Sequence, residues 1–246
     1  MSSALKAIEA GRETVLALAR ELDDSVWTKA SGCPGWSARD VLSHMACSFW
    51  LAVDPSRLPD PGGLPAERAA DLYVESRRNL THEQIVSDYA SVSSKGLEIL
   101  AALQDQDVDV PLGDVGTYPA AAIANAFAFE HFLHIRYDLL APGGPLSGEA
   151  PSDDLRLAPT LDWIEAALPQ QNADLVARMG NAVEISLDGI GGRTLRIGGA
   201  DVAARVSSDP EAFVQWVTQR GTWEALGVHA EGDRSILEIV RQFRVF

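Results

Sequence analysis

Residues 126–138 read Ala-Phe-Ala-Phe-Glu-His-Phe-Leu-His-Ile-Arg-Tyr-Asp. They lie in a run with helical spacing from about Pro119 to about Leu140. Glu130 and His134 are four apart, so they share one helix face, with Cβ atoms roughly 5–6 Å from each other. Asp138 continues that row. Phe127, Phe129, Phe132, Leu133, Ile135 and Leu139 surround it, so most of the helix is expected to be buried. A carboxylate and an imidazole in apolar surroundings are costly unless paired or bound to a metal ion. The stretch therefore predicts a helical bundle with a polar site inside it.

Upstream, Leu5, Ile8, Val15, Leu18, Ala19 and Leu22 fall at helical intervals over Ser3–Leu22. Pro34-Gly35 marks a turn. Ser37 with Asp40 three residues on is a capping-box variant, and Trp36 is placed to staple onto Val41. That start fixes the register of His44, two turns in. Residues 54–66, rich in Pro, Gly and Asp, read as a loop. Thr81-His-Glu-Gln84 caps a long helix to about Leu103, and 105–117 read as a second loop. Pro119 sits at the next helix start, where its missing N–H costs little. Four main helices imply a four-helix bundle, a fold that commonly holds metals between facing helices.

After Pro142-Gly-Gly-Pro145 the pattern changes. A helix is expected from about Asp153 to Leu168. Ala182–Leu187, Thr194–Ile197 and Val202–Val206 alternate with period two between glycine turns and read as short antiparallel strands. A helix from Ser208-Asp-Pro-Glu211, a last strand over Val228–Glu231 and a helix capped at Asp233 complete the chain. The fold class is α+β, divided into residues 1–147, the bundle, and 148–246, a smaller α+β domain.

The 46% hydrophobic and 22% charged residues are those of an ordinary globular protein. Net charge is −15, and both halves are acidic, so no basic surface for nucleic acid or anionic lipid is expected. No apolar run reaches the length of a bilayer span, and the N-terminus enters an amphipathic pattern without a signal-peptide core. We expect a cytoplasmic protein, a monomer or weak dimer, with no nucleic-acid or membrane partner. Cys33 and Cys47 do not make a disulfide framework in a chain of this size.

His44, Glu130 and His134 are the candidate ligands. Three protein ligands with an open position are the pattern of a catalytic divalent site, whereas structural sites are closed by four. Such an ion lowers the pKa of a bound water or thiol. Gly35-Trp-Ser-Ala-Arg-Asp-Val-Leu-Ser-His44, followed further on by Glu130-His-Phe-Leu-His-Ile-Arg-Tyr-Asp138, resembles the mycothiol-dependent maleylpyruvate isomerase family of the DinB-like metal-binding superfamily. The whole chain fits that resemblance, which implies a metal-binding bundle followed by a sterol-carrier-like α+β domain. Other superfamily members often have His where this chain has Glu130. The family's zinc ligands would fall on His44, Glu130 and His134. Its active-site arginine would best match Arg220, in Trp216-Val-Thr-Gln-Arg-Gly221. The resemblance implies a zinc ion, or another divalent metal, that stabilises the thiolate of mycothiol or a similar low-molecular-weight thiol. That thiolate would add to an electrophilic small molecule such as maleylpyruvate, in cis–trans isomerisation or in transfer.

Several alternatives stand beside this reading. Asp138 either orients His134 or a substrate, or pairs with Arg136 or another nearby cation. Arg220 binds an anionic substrate group or is a surface ion-pair former. His131, turned away from Glu130, is expected in the core as a hydrogen-bonded residue. Cys47, one turn after His44, is a small buried thiol or half of a Cys–His pair. Cys33 reads as a loop residue, His82 as an exposed first-turn residue and His229 as part of a strand. The competing functions are a non-catalytic metal or small-ligand binding protein of the same fold, and a scaffold in which Glu130 and His134 only bond each other.

Overall fold

The computed structural model describes residues Met1–Phe246. Its first half is built from α1 (Ser3–Glu21), a short α2 (Asp24–Trp27), α3 (Ala38–Val53), α4 (Ala66–Glu75) and α5 (His82–Leu103), then a hairpin of β1 (Asp109–Pro111) and β2 (Thr117–Pro119), and α6 (Ala120–Leu133). Helices α1, α3, α5 and α6 pack as the four-helix bundle. Both capping boxes form: Ser37 with Asp40 opens α3, and Thr81 with Gln84 opens α5. Helix α6 is apolar on all sides, and Ile123, Ala128, Phe129, His131, Phe132 and Leu133 are buried. A helix with no polar face belongs in an interior, and α6 is enclosed by α1, α5 and α7 (Asp154–Gln171).

Three features depart from the sequence reading here. Helix α4 was not expected; no side chain caps it and it buries only Ala69, Tyr73 and Val74, so its signal is faint. The stretch read as a loop over 105–117 holds the first strand of a hairpin, and its second strand, Thr117–Pro119, takes the residues read as the next helix start; strands of three residues each are too short to show alternation. The helix expected to continue to Leu140 instead widens at its end. Residues His134–Leu139 form a single π-helical turn.

Helix α7 packs on α1 and α6 and carries the chain over to the C-terminal elements. These are α8 (Ala173–Met179), β3 (Ala182–Leu187), β4 (Arg193–Gly198), β5 (Val202–Ser208), α9 (Pro210–Val217), β6 (His229–Gly232) and α10 (Arg234–Val240). The sheet order is β4-β3-β5-β6. Val183, Ile185, Leu187, Leu195 and Val206 turn inward and are buried. The strands are not all antiparallel, as expected from their sequence: β3 pairs with β5 in parallel, Ile185 opposite Val206. The reason lies in the link after β4. Gly198 takes φ +103°, where a Cβ would lie 2.6 Å from Asn181 O, and a Cβ on Gly199 would overlap Gly180 O. With no side chains there, the link passes beneath the start of β3 and delivers β5 to its far side. The architecture is α+β, as expected, and no helix is long and apolar enough to cross a membrane.

Helix α3, which carries His44, crosses α5 where Gly96 faces the Phe49 ring, and a Cβ at 96 would overlap that ring. Phe49 is fully buried against Tyr89 and Phe127. Gly96→Ala is therefore expected to destabilise by about 1–3 kcal/mol through overpacking, despite the better helix propensity of alanine. Urea unfolding of the variant measures this, and an unchanged or raised midpoint would contradict the close crossing.

Candidate functional site

His44 stands two turns into α3, held in register by the Ser37–Asp40 cap. Glu130 lies in the last turn of α6, and His134 opens the π-helical turn. The structure brings the three together: one donor atom of each lies within 4.8 Å of the others. His44 Nε2 is 3.1 Å from Glu130 Oε1, and Ser48 Oγ, one turn after His44, donates to the same oxygen. The His44 and His134 rings meet edge to face at 5.0 Å. Burial pushes the Glu130 carboxyl up, but the His44 hydrogen bond and the charges of His44 and His134 outweigh it. The group is held below the ordinary carboxylate range.

Behind His134 sits Asp138, which is 1% exposed. Its Oδ2 accepts from His134 Nδ1 at 2.8 Å. Arg220 grips the same carboxylate with two nitrogens, Nη2 to Oδ2 at 2.6 Å and Nε to Oδ1 at 3.2 Å. Burial raises the Asp138 carboxyl, but the bonds and charges of His134 and Arg220 prevail and hold it well below its usual range. The alternative partner Arg136 is engaged elsewhere, with Glu211 at 2.6 Å. Arg220 is thus not a free surface cation.

The backbone around Arg220 is specialised. After α9, Gln219 takes φ +61°, the only non-glycine residue of the chain in that region. Such a conformation costs about 1–3 kcal/mol unless its surroundings impose it. Here it lets Arg220 N bond Gln215 O at 2.7 Å while the side chain turns toward Asp138. At the other end of α9, Glu211 accepts from Arg136 and from Tyr137 Oη. Helix α9 is therefore clasped at both ends by three consecutive residues, 136 to 138.

Cys33 is the residue whose position the sequence did not reveal. Its Sγ lies 4.0 Å from His134 Nδ1, and with His134 and Asp138 it forms a second group of donors within 4.8 Å of one another. Gly32 permits the approach: it donates N–H to Asp138 O, and a Cβ there would lie 2.5 Å from Tyr137 O. No spacing within one element could signal a contact made between a loop and a helix so far apart in the chain. Burial pushes the Cys33 thiol up to about 12, aided by the Asp138 charge, so it is a thiol near neutral pH. Cys47 is buried and its thiol is likewise pushed up to about 12, chiefly by burial, which does not suit a Cys–His nucleophile.

The remaining histidines are distributed as follows. His131 is buried, with Nε2 on Tyr89 Oη at 2.9 Å and Nδ1 on Phe127 O at 2.8 Å, so it is a core residue as expected. His82 is not exposed as expected: it stacks on Trp27 at 4.7 Å and is buried, because the short α2 folds over the start of α5. His229 is exposed on β6.

Two imidazoles and a carboxylate converging from two elements form a donor set that fits a divalent cation such as zinc. Asp138 also fits the usual surroundings of a ligating histidine, whose second ring nitrogen commonly donates to a carboxylate.

A family model described as mycothiol maleylpyruvate isomerase N-terminal domain matches residues 8–139, and one described as the C-terminal domain of the same proteins matches 158–238. Among solved structures, the chain is similar to a crystal structure of the mycothiol-dependent maleylpyruvate isomerase, at 15% identity and TM-score 0.55, and to that of a mutant of it, at 14% and 0.55. Each covers 95% of both chains. At these identities the likeness shows the fold. No curated protein sequence matches the chain.

In chelator-treated protein, Asp138→Asn is expected to cost up to about 3 kcal/mol near neutral pH, because it strips the counter-charge from the partly buried His134 and Arg220. The folded carboxyl sits below the unfolded value of about 3.9, so its stabilisation is present above that pH and is lost as pH falls through the folded value. The gap between wild type and variant should shrink between pH 7 and pH ~3. Urea midpoints at the two pH values check this, and a gap that widens on acidification would refute it.

Proposed function

The chain belongs to the mycothiol maleylpyruvate isomerase family, and on that premise we propose that it activates mycothiol, or a similar low-molecular-weight thiol, toward an electrophilic small molecule such as maleylpyruvate. The reaction is cis–trans isomerisation or thiol transfer. The observation that carries the proposal is the convergence of His44, Glu130 and His134. In this reading they hold a divalent ion, zinc by the donor types. When bound, the ion supplies the Lewis acidity that lets a thiol lose its proton near neutral pH.

The chain's own residues prepare that site. Asp138 accepts from Nδ1–H of His134, so Nε2 keeps its lone pair for the cluster. Ser48 fixes one oxygen of Glu130. Arg220 was the candidate for binding a substrate anion. All three of its nitrogens are engaged, two on Asp138 and Nη1 on Thr218 O at 3.2 Å. In this reading Arg220 is a positioning residue that acts on His134 through Asp138. In this reading the reactive sulfur comes from the co-substrate; Cys47, whose thiol burial pushes up to about 12, does not supply it. A cytoplasmic setting, where thiols are kept reduced, and a two-domain division at 147/148 belong to the same proposal.

Metal analysis of the purified protein tests the centre. Wild type should carry close to one divalent ion per chain, His44→Ala almost none, and Asp138→Asn should bind about 10–100-fold more weakly. Equal, negligible metal in wild type and His44→Ala would remove the basis of the proposal. Incubation with mycothiol and a panel of electrophiles, followed by mass spectrometry, tests the chemistry. Isomerised products or conjugates are expected, and metal and thiol binding without either would mark a non-catalytic binding protein.

A further inference from the structure

We propose that Cys33, His134 and Asp138 form a second metal site, suited to a thiophilic cation such as cadmium, whose filling excludes an ion from the centre at His44, Glu130 and His134. The inference rests on the reading above, that His134 serves that centre through Nε2.

Position comes first. One donor atom of each residue lies within 4.8 Å of the other two. Cys33 Sγ is 4.0 Å from His134 Nδ1. Two tetrahedral ligands of one ion, at bond lengths of about 2.3 Å to sulfur and about 2.0 Å to nitrogen, stand about 3.5 Å apart. His134 Nδ1 and Asp138 Oδ2 are at hydrogen-bond distance, 2.8 Å, and part slightly to admit an ion. Asp138 Oδ1 takes Arg220 Nε at 3.2 Å and keeps a lone pair for a ligand, so coordination does not require Arg220 to leave. The loop is already held in place, because Gly32 N–H bonds Asp138 O at 2.9 Å. Asp138 is buried but Cys33 only partly so, which leaves the site an approach from the loop side.

The donor types select the ion. Sulfur ligands favour soft cations, so this set suits cadmium, cuprous or mercuric ion over magnesium or calcium. Arg220 sets a positive charge beside the site, on the same carboxylate. That charge penalises hard ions, held by attraction alone, more than soft ions held through sulfur. On binding, the Cys33 S–H bond breaks, its proton passes to solvent and an S–metal bond forms, with no change of oxidation state. Exclusion of the other ion follows from the imidazole. A neutral ring has one N–H and one nitrogen with a free lone pair. An ion on Nε2 of His134 leaves the hydrogen on Nδ1, where it donates to Asp138. An ion on Nδ1 sends the hydrogen to Nε2 and removes the third ligand of the neighbouring centre. His134 can therefore serve one site or the other.

The test uses the full chain with cadmium as the probe, because a cadmium–thiolate bond gives an ultraviolet charge-transfer band that bonds to nitrogen and oxygen do not. His44→Ala, which lacks the rival centre, is expected to bind close to one cadmium per chain and to show the band. His44→Ala/Cys33→Ser is expected to lose the band, and Cys47, present in both, serves as the internal control. Glu130→Gln, which keeps its side-chain shape, takes the place of His44→Ala if that variant does not fold. In zinc-loaded wild type the band is expected to grow only in step with zinc release. No band in the variant without the rival centre, a band that survives Cys33→Ser, or a band that grows while zinc is retained overturns the proposal. The zinc content of wild type is measured separately. Its absence beside an intact band in His44→Ala would sink the catalytic reading and leave the second site standing.

Discussion

Three stretches far apart in the chain meet on the carboxylate of Asp138: the loop at Gly32–Cys33, the turn beginning at His134 and the segment ending at Arg220. An ionised carboxylate that is 1% exposed is tolerable only when its bonds are made. Satisfying it requires two local departures from ordinary backbone. Residue 32 must lack a side chain, and Gln219 must adopt a left-handed conformation. Neither has a reason of its own; both become intelligible once the buried charge is counted. The same charge fixes which nitrogen of His134 faces Glu130 and His44, so the cluster inherits its geometry from a group that is not part of it.

The clasp on α9 extends this dependence to the whole C-terminal half. Glu211 lies in the first turn of α9, where a negative charge also favours the helix, and Arg220 lies just past its end. Residues 136, 137 and 138 reach both. The sheet and its helices are thereby registered on the turn that begins with His134, not merely packed beside the bundle. Arg220 connects them through a bidentate bond, a geometry that lysine cannot reproduce.

The parts of this arrangement legible in the sequence were those carried within one element. Ser37 with Asp40, and Thr81 with Gln84, announce helix starts because a cap is a contact between near neighbours. Glu130 and His134 announce a shared face for the same reason. Contacts between elements leave no such mark. Cys33 looked like loop because nothing near it in sequence binds it, and His82 looked exposed because Trp27, which covers it, belongs to a four-residue helix. The parallel pairing of β5 was hidden because alternation reveals strands, not their neighbours; the glycines at 198 and 199 gave only a turn. The bond between Asp138 and Arg220 spans 82 residues, and no local rule reaches across that distance.

The π-helical turn at His134–Leu139 carries a constraint of a different kind. Such turns arise mostly as a single widened turn within an α-helix, frequently at functional sites. One residue fewer would restore the ordinary winding and swing every following side chain by about 100°. Arg136, Tyr137 and Asp138 would then each inherit a neighbour's direction, and α9 would lose both its holds together. In this segment the number of residues is as tightly fixed as their identities, so a deletion that kept every functional side chain would still dismantle the junction.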